Sequence, residues 1–428
     1  MSEHTTSWYA ASLPPHLNRL RAPLGGDLAC DVCIIGSGFT GVSAAYHLAR
    51  AGQRVVLLDG ERVGWGASGR NGGQLHPGFR QDLKWFTDTI GLSYAQKVHA
   101  VANAALAHLD DLITQHNLPC NRTHGLITAC RKASDLREEQ DYDAFAQETF
   151  SAKPLEVLDQ AQTEAALGTS GHMGAVRDTQ GGHIHPLAFV TALADEAEKA
   201  GAQIYDQTHV TSLDVSDLRA EVRTARGTVR AQQVVLAGNG YMRGLAKQAD
   251  AKVLPITNFM VATKPIGAGQ VGGILPGGDA ASDTRFVVRY WRPTPDGRLL
   301  FGGGEKFSKA FPRDIEGFVR PYLAQMYPAL KDVEIDHAWG GTLAITPNRL
   351  PLIRRLAPRV TIAAGFSGQG VINAPFAGKI IADALNHDPA LLDVVSRFPL
   401  PTFPGGTALR GPILFLAMSY FALKDRIG

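Results

Sequence analysis

The sequence lacks any strong excess of charge. Its 42 Lys and Arg residues against 40 Asp and Glu residues give a formal net charge of +2, and charged residues make up 19% of the chain. No run of basic residues, alone or interleaved with aromatic residues, provides the clustered positive charge that a nucleic-acid backbone requires. We therefore do not expect a nucleic acid to be a partner.

Cysteine is also scarce, with four residues in the chain: Cys30, Cys33, Cys120 and Cys130. The first two have the spacing of a redox or metal-binding pair, but they lie in the apolar run LACDVCIIG, which favours a β-strand. Side chains three positions apart on a strand point to opposite faces, so this pair cannot readily form a disulfide or share a metal. We expect buried thiols, no metal site and no need for an oxidising compartment.

No apolar run is long enough to cross a membrane. The segment from Pro412 to Leu423 is the most apolar candidate, and it is shorter than the roughly 20 residues that a spanning helix needs. We expect it to pack on the protein's own surface, with peripheral membrane contact through Lys424 and Arg426 as the alternative. The first residues, MSEHTTSWYAASLPPH, lack the pattern of a signal peptide, which predicts a cytoplasmic protein.

Apolar residues and glycine are abundant. Apolar residues make up 45% of the chain and glycine accounts for 46 residues, a composition typical of a globular α/β enzyme. A chain of 428 residues exceeds what one core usually supports, so we expect two domains, or one with a large insertion. From Asp31 to Asp59, an apolar strand, a glycine turn, an amphipathic helix and a second apolar strand follow one another, which predicts a βαβ unit in a parallel sheet.

The glycine turn of this unit has the sequence GSGFTG and consists of Gly36, Ser37, Gly38, Phe39, Thr40 and Gly41. Its glycines allow a tight turn, close approach of a pyrophosphate and close packing of the helix, whose N-terminus favours phosphate charge. Asp59, at the end of the next strand, can bind ribose hydroxyls. The pattern predicts a dinucleotide site, whereas a purely structural glycine turn would leave Asp59 unexplained.

The motif alone does not separate NAD from FAD, because both present an adenosine and a pyrophosphate. The next segment, GERVGWGASGRNGGQLHPG from Gly60 to Gly78, is rich in glycine. Such a segment can follow an extended cofactor and offer backbone N–H groups to phosphates and flavin edges, which favours FAD. An NAD(P)-dependent dehydrogenase is the alternative enzyme class, and a flexible surface loop is the alternative structure.

The remainder of the chain predicts a second sheet and a return to the first. Helical patterns cover residues 94–117, 134–150 and 185–201. Strand-like runs broken by Pro and Gly recur over residues 252–337, as in an antiparallel sheet. The final run VTIAAGFSGQGVINAPFAGKIIADAL contains a strand, a glycine turn and a helix, so we expect it to rejoin the first sheet.

These segments resemble the D-amino-acid-oxidase-like family of FAD-dependent oxidoreductases. The resemblance rests on the run from Asp31 to Gln74 and on GGHIHPLAF, VVLAGNGY, RLLFGGGE, WGGTLAITPNRLPLI and GFSGQGV, and it covers nearly the whole chain. Within the family, gamma-glutamylputrescine oxidoreductases are the most similar group, including the tail FPGGTALRGP.

The resemblance implies an α/β protein in which a Rossmann-like βαβ domain binds FAD and carries an inserted antiparallel-sheet substrate domain. Residues 28–90, 171–248 and 339–395 would form the FAD-binding domain. Residues 91–170 and 249–338 would form the substrate domain, and residues 396–428 a tail with a short apolar helix.

The resemblance also implies which residues contact FAD. The segment matching ERVGWGASGRNGGQL passes beneath the flavin in the family, which points to Gly60, Glu61, Ala67, Ser68, Arg70, Asn71, Gly72 and Gln74. Val210 would offer its backbone to adenine, and Gly238 would lie near the pyrophosphate, with Asn239 departing from the family pattern. The turn GFSGQGV would place Gly365, Ser367, Gly368, Gln369 and Gly370 at the pyrimidine edge of the flavin, and Gln369 replaces the common His. The following helix N-terminus can stabilise negative charge on the reduced flavin there.

The activity implied by the resemblance is oxidation of a carbon–nitrogen bond by hydride transfer to flavin. Orientation and desolvation of the amine matter more in such a reaction than a dedicated acid or base. His76, Tyr290 and Trp339 are the candidates for the catalytic pocket, although packing alone would also explain each of them. Arg289 could bind a carboxylate through two hydrogen bonds, but a surface position is the simpler expectation.

Several alternatives stay open on the sequence alone. Gamma-glutamylputrescine-like amines, D-amino acids and N-methyl amino acids are the candidate substrates, and a non-catalytic flavin-binding subunit of a larger complex is the alternative to an enzyme. The electron acceptor is molecular oxygen or another carrier. Some relatives activate oxygen with a lysine, but neither Lys264 nor Lys306 matches that position convincingly.

Overall fold

A computed structural model of the protein describes residues 3–242, 244–266, 273–306 and 311–406. The apolar segment 412–423, together with Lys424, Arg426 and the side chain of Lys306, lies outside the described residues. The described strands are β1 (Leu28–Ile35), β2 (Val55–Leu58), β3 (Gln74–Leu75), β4 (Thr123–Cys130), β5 (Glu156–Leu158), β6 (Gly174–His183), β7 (Gln203–Tyr205), β8 (Val210–Val215), β9 (Ala220–Thr224), β10 (Gly227–Leu236), β11 (Leu254–Thr263), β12 (Ala280–Asp283), β13 (Tyr290–Pro293), β14 (Leu299–Lys306), β15 (Ile335–Ile345), β16 (Leu352–Ala357) and β17 (Val360–Ala364).

The described helices connect these strands and cover the sheets. They are α1 (Trp8–Ala11), α2 (Phe39–Arg50), α3 (Leu83–Ile90), α4 (Leu92–His116), α5 (Ala133–Phe150), α6 (Gln160–Leu167), α7 (Pro186–Lys199), α8 (Lys247–Asp250), α9 (Ile315–Met326), α10 (Gly370–Leu385) and α11 (Ala390–Ser396). The three helical patterns of the sequence match α4, α5 and α7. In the part of the chain that the structure describes, no helix is both long and apolar enough to cross a bilayer.

The first sheet has the strand order β16-β17-β10-β1-β2-β7. Strand β1 pairs in parallel with β2 and with β10, and β10 pairs in parallel with β17. Every residue of β2 is buried, as expected for a parallel strand covered on both faces. Helix α2 packs against α7 and α10. The predicted βαβ unit and the return of the chain to this sheet are both confirmed.

The second sheet has the order β15-β11-β14-β13-β12-β4-β6-β3, and all its pairings are antiparallel except that of β12 with β4. Three stretches that were predicted to belong to the FAD-binding domain pair in this second sheet instead. These are β3, β6 with sequence GAVRDTQGGH, and the part of β15 that follows Ala338. Strand β6 has exposed and half-buried residues at its centre, so it lacks the continuous apolar run of a central parallel strand. Strand β15 pairs with β11 across its whole length, which holds it in the second sheet.

The cysteine prediction is confirmed for β1. Cys30 and Cys33 lie on this strand, and all four cysteines are buried and free. Burial raises the pKa of the Cys30 thiol to about 12, so this side chain is an unreactive thiol at neutral pH.

Candidate active site

The glycine turn lies between β1 and α2. Gly36 has a φ of +107°, which only glycine adopts readily. A Cβ atom on Gly41 would lie 1.8 Å from the carbonyl oxygen of Gly36, so α2 can pack this closely on the turn only with glycine at that position. A Cβ on Gly38 would lie 2.8 Å from Oγ of Ser68, which shows that the turn directly meets the glycine-rich segment.

Asp59 follows β2 and faces the same turn. Its carboxylate accepts hydrogen bonds from the backbone N–H and the hydroxyl of Ser37, both at 2.7 Å, and from the N–H of Glu61 at 2.9 Å. The backbone N–H of Thr208 donates to the carbonyl of Asp59 at 2.7 Å, just before β8 begins at Val210. The structure therefore brings together the positions expected around the adenosine.

The end of β10 completes this edge of the sheet. A Cβ on Gly36 would lie 2.8 Å from the backbone N of Gly238. Asn239 adopts a left-handed conformation with φ 47°, and its Oδ1 accepts a hydrogen bond from the N–H of Gly365 at 2.8 Å. Asn239 therefore ties the end of β10 to the turn after β17, a role that the sequence did not reveal.

The glycine-rich segment is shaped by its own polar side chains. Residues Ala67–Gly69 form a short 3-10 helix. Asn71 donates to the carbonyls of Ala67 and Ser68 at 3.0 and 2.9 Å and accepts from the N–H of Gly73 at 2.7 Å. Oγ of Ser68 accepts from the N–H of Phe39 at 3.0 Å, so this segment is fixed against the start of α2.

Arg70 is buried in the wall of the site. Its Nε donates to the carbonyl of Trp65 at 2.6 Å, its Nη1 donates to the carbonyl of Gly340 at 3.3 Å, and its guanidinium lies 4.0 Å from the centre of the Trp65 ring. Burial lowers the pKa of Arg70. A guanidinium held in place by carbonyls and an aromatic face fits an anionic partner such as a cofactor phosphate.

Gln74 and His76 form a fixed pair on the edge of the second sheet. Nε2 of Gln74 donates to the carbonyls of Ala281 and Trp291 at 2.8 and 3.3 Å, and its Oε1 lies 3.1 Å from Nε2 of His76. Because Oε1 can only accept, Nε2 of His76 carries the hydrogen. Burial and the nearby Arg80 lower the pKa of His76 to about 4, so the ring is neutral at pH 7 and Nδ1 is unprotonated.

A cavity of about 540 Å³ lies between the glycine-rich segment, the second sheet and the turn after β17. This volume is typical of a small-molecule site. The predicted site residues that line it are Ala67, Arg70, Asn71, Gly72, Gln74, His76, Tyr290, Ser367, Gly368 and Gln369. Both predicted flavin segments and two of the three substrate candidates therefore meet at one cavity.

Tyr290 and Trp339 occupy different places. The ring of Tyr290 lines the cavity and packs directly on two glycines. A Cβ atom on Gly72 would lie 2.8 Å from this ring, and one on Gly302 would lie 2.1 Å from it. The hydroxyl of Tyr290 donates to Oδ1 of Asn258. Trp339 is 1% exposed and does not line the cavity. Its indole N–H donates to the carbonyl of Arg70 at 3.0 Å, so it supports the glycine-rich segment from behind.

Two further expectations can be compared with the structure. Arg289 is buried rather than on the surface, because it packs against α9, where its Nη2 donates to Oε1 of Gln325 at 2.6 Å. Burial lowers the pKa of Arg289 to about 10, and its side chain is not part of the cavity wall. Lys264 is half-exposed, forms an ion pair with Glu334 and also lies outside the cavity wall.

The turn after β17 has the features that the pyrimidine edge of a flavin requires. Gly365 and Gly368 have φ values of +74° and +93°, and the buried Ser367 donates to the carbonyl of Gly365 at 3.1 Å. Helix α10 begins at Gly370, and Oε1 of Gln369 is buried without a hydrogen-bond partner in the described structure. An unpartnered acceptor beside a helix N-terminus fits the N–H donor and the developing negative charge of that edge.

The wall opposite this turn was not predicted. It carries three acidic residues of α5, Asp135, Glu138 and Glu139, and the arginine Arg285 from the loop between β12 and β13. Burial, Glu138, Asp82 and Asp135 raise the pKa of Glu139. A signal was present, because the three acidic residues occupy positions i, i+3 and i+4 of a predicted helix and therefore share one face.

This fold and this site define an FAD-dependent oxidoreductase. Residues 31–384 match the family described as "DAO: FAD dependent oxidoreductase", and the chain belongs to that family. Its cofactor is accordingly FAD, which replaces the NAD(P) alternative.

Similar proteins cover essentially the whole chain. It is 38% identical over 421 residues to a probable oxidoreductase, OrdL, of Rhizobium meliloti, covering 98% of this chain and 97% of the relative. It is 34% identical over 433 residues to the gamma-glutamylputrescine oxidoreductase of Escherichia coli, covering 100% of both. The predicted family resemblance is thereby confirmed.

Solved structures share the fold at lower identity. L-proline dehydrogenase from P. horikoshii has a TM-score of 0.73 at 21% identity, covering 87% of this chain and 98% of that one. Glycine oxidase from Geobacillus kaustophilus has a TM-score of 0.72 at 20% identity, covering 84% and 95%. The predicted fold class is therefore confirmed.

Proposed function

We propose that this enzyme oxidises a carbon–nitrogen bond of a small amine whose remote end carries an amino-acid-like group, as in gamma-glutamylputrescine. When bound, FAD supplies the acceptor for a hydride from the carbon next to the nitrogen. The observation that carries the substrate assignment is the acidic face of α5, which lines the same cavity as the predicted flavin segments.

The acidic face favours a cationic substrate. Asp135, Glu138 and Glu139 lie within one turn of α5, and their mutual repulsion contributes to the raised pKa of Glu139. An ammonium group in the cavity would relieve this repulsion by pairing with the carboxylates.

Arginines on the cavity wall favour a carboxylate on the same substrate. Arg285 pairs with Asp283, and Arg349 lies with its guanidinium 5.7 Å from the centre of the Phe286 ring. Arg80 lines the cavity as well. A wall with both signs of charge matches an amino-acid end, which carries an ammonium and a carboxylate, better than it matches a simple diamine.

Two further lining residues, Tyr290 and His76, would orient the reacting amine. Tyr290 is held rigidly between Gly72, Gly302 and Asn258, so its ring offers a fixed face to the substrate. His76 is neutral and oriented by Gln74, so it contributes a hydrogen-bond acceptor at Nδ1 and no charge. A neutral His76 adds no negative charge that would favour the protonated form of the reacting amine, and hydride transfer requires the neutral form.

Anaerobic mixing of the purified holoprotein with a panel of amines tests the proposal. The panel contains gamma-glutamylputrescine, putrescine, D-alanine and N-methylglycine, and loss of the yellow flavin absorbance is followed. We expect gamma-glutamylputrescine to bleach the flavin fastest. Faster bleaching by D-alanine or N-methylglycine would move the assignment to those substrate classes, and no bleaching by any of them would favour a non-catalytic flavin-binding subunit.

Substitutions on α5 test the role of its acidic face. We expect Glu139→Gln to raise KM for gamma-glutamylputrescine about tenfold with little change in kcat, which corresponds to the loss of one charge-assisted contact. Glu148→Gln on an exposed part of the same helix is the matched control and should change neither constant. An unchanged KM in Glu139→Gln would contradict the cation subsite while leaving amine oxidation intact.

The same reduced samples identify the electron acceptor. Rapid return of the absorbance on admission of oxygen would define an oxidase, and slow return would define a dehydrogenase that uses another carrier. We further propose the cytoplasm as the compartment, because all four cysteines are free thiols.

A further inference from the structure

Two carbonyl groups of the glycine-rich segment are held from behind by buried donors. The indole N–H of Trp339 donates to the carbonyl of Arg70 at 3.0 Å, and Nε of Arg292 donates to the carbonyl of Gly72 at 2.9 Å. Trp339 and Arg292 are 1% and 2% exposed. Because the peptide unit is planar, fixing the carbonyl of Arg70 also fixes the direction of the N–H of Asn71, a residue that lines the cavity.

Both donors contact a single residue near the N-terminus, Tyr9. Its ring packs edge-on against Trp339 with the ring centres 5.5 Å apart. Its hydroxyl accepts a hydrogen bond from Nη2 of Arg292 at 3.3 Å, and the guanidinium of Arg292 lies 5.8 Å from its ring centre. Tyr9 is fully buried, and burial raises its pKa, so its hydroxyl stays neutral. Arg292 therefore lies between Tyr9 and the segment that it holds.

Helix α1, which carries Tyr9, is itself anchored at several points. Ser7 caps the helix by accepting from the N–H of Ala10 at 3.1 Å, and the indole N–H of Trp8 donates to Asp296 at 3.2 Å. His185 packs against the rings of Trp8 and Tyr9, with ring centres 5.3 and 5.1 Å away. The helix precedes residues 31–384, which match the family.

We propose that Tyr9 is a positioning residue for the cofactor. Through Trp339 and Arg292 it holds the backbone of Arg70–Gly72 in the conformation that receives FAD. The proposal rests on the predicted contact between this segment and FAD. It adds an N-terminal support that lies outside the family domain.

Two measurements on the holoenzyme test the support. We expect Tyr9→Ala to release FAD about tenfold faster in mild denaturant, because Trp339 and Arg292 lose their contacts with the Tyr9 ring and hydroxyl. A tenfold change corresponds to about 1.4 kcal/mol. The release is measured by the fluorescence of free FAD. We also expect faster hydrogen exchange in residues 66–74 and a changed circular-dichroism band of the bound flavin. Tyr9→Phe keeps the ring contact with Trp339 but removes the acceptor of Arg292, so we expect FAD release at a rate between those of the wild type and Tyr9→Ala.

Tyr327→Ala is the matched control, since Tyr327 is an equally large buried tyrosine that packs in the second core cluster. At equal thermal stability, this control should leave exchange in residues 66–74 unchanged. Trp339→Phe removes the indole donor while keeping a smaller aromatic ring beside Tyr9, and it tests the same support if Tyr9→Ala does not fold. Equal FAD release and equal exchange in Tyr9→Ala, Trp339→Phe and the control would overturn the proposal. Faster exchange with unchanged FAD release would instead show that the segment is held by Tyr9 but does not bind FAD.

Discussion

Replacement of Gly41 by alanine should prevent α2 from packing on the glycine turn. The new Cβ would lie 1.8 Å from the carbonyl oxygen of Gly36, 3.0 Å from its carbonyl carbon and 3.3 Å from Cβ of Ala237. The closest of these atoms belong to the backbone, so no side-chain rotation relieves the contact. Helix α2 would have to retreat by roughly 1 Å from a close-packed interior. We expect the free energy of unfolding to fall by about 3 kcal/mol or more, the upper part of the range for overpacking.

Gly38→Ala provides the contrasting perturbation. Its Cβ would lie 2.8 Å from Oγ of Ser68, a side-chain atom that can rotate away at the loss of its hydrogen bond from the N–H of Phe39. We expect a loss of only about 1 kcal/mol in the stability of the apoprotein, but weak FAD binding, because the methyl group lies on the predicted path of the pyrophosphate. Gly25→Ala is the control, since a Cβ there meets nothing within 4 Å. Urea unfolding of the three apoproteins and FAD titration separate the two effects. Wild-type stability and full FAD occupancy in Gly41→Ala would refute this reasoning.

Three further predictions concern single side chains. Burial raises the pKa of Asp206 from 3.8 to about 6, so its contribution to stability is present below about pH 4 and is lost as the pH rises to about 6. Urea unfolding from pH 4 to 7 should show that the stability of the wild type relative to Asp206→Asn falls by up to about 3 kcal/mol over that range, and a constant difference would contradict it. Asn239→Gly keeps the left-handed backbone but leaves the N–H of Gly365 unpartnered, so urea unfolding should show a loss of about 1–2 kcal/mol, with less loss in Asn239→Asp. His76→Gln should leave the pH dependence of flavin reduction between pH 6 and 9 unchanged, because the pKa of His76 is about 4. A titration step in the rate that is present in the wild type and missing in the variant would contradict this prediction.

The first sheet was predictable because its elements are local and strongly patterned. The apolar runs of β1 and β2, the glycine turn and α2 follow one another within 31 residues, from Leu28 to Leu58. The second sheet was less predictable because its strands come from distant parts of the chain. Strand β4 pairs in parallel with β12, and nothing local in THGLITAC specifies that partner.

The N-terminal helix also depends on contacts with distant parts of the chain. Helix α1 has only four residues, too few to form a helix by itself. Trp8 and Tyr9 are buried because they pack against residues far along the chain, including Asp296 and Trp339. Propensity and periodicity contain no information about such contacts, so the burial of Trp8 and Tyr9 could not be predicted from the sequence.

The two walls of the cavity differ in predictability for a physical reason. On the predicted flavin side, binding would use backbone groups and close approach, which demand glycine or a left-handed residue at fixed spacings, as at Gly36, Gly41 and Gly365. On the proposed substrate side, recognition would use charged side chains, and the i, i+3, i+4 spacing of Asp135, Glu138 and Glu139 is also the spacing of an ordinary solvated helix face. Only the packing of α5 over the cavity makes its acidic residues part of a site. The predicted FAD contacts therefore follow from a local sequence pattern, whereas the proposed substrate wall depends on the tertiary packing of α5 and becomes visible only in the structure.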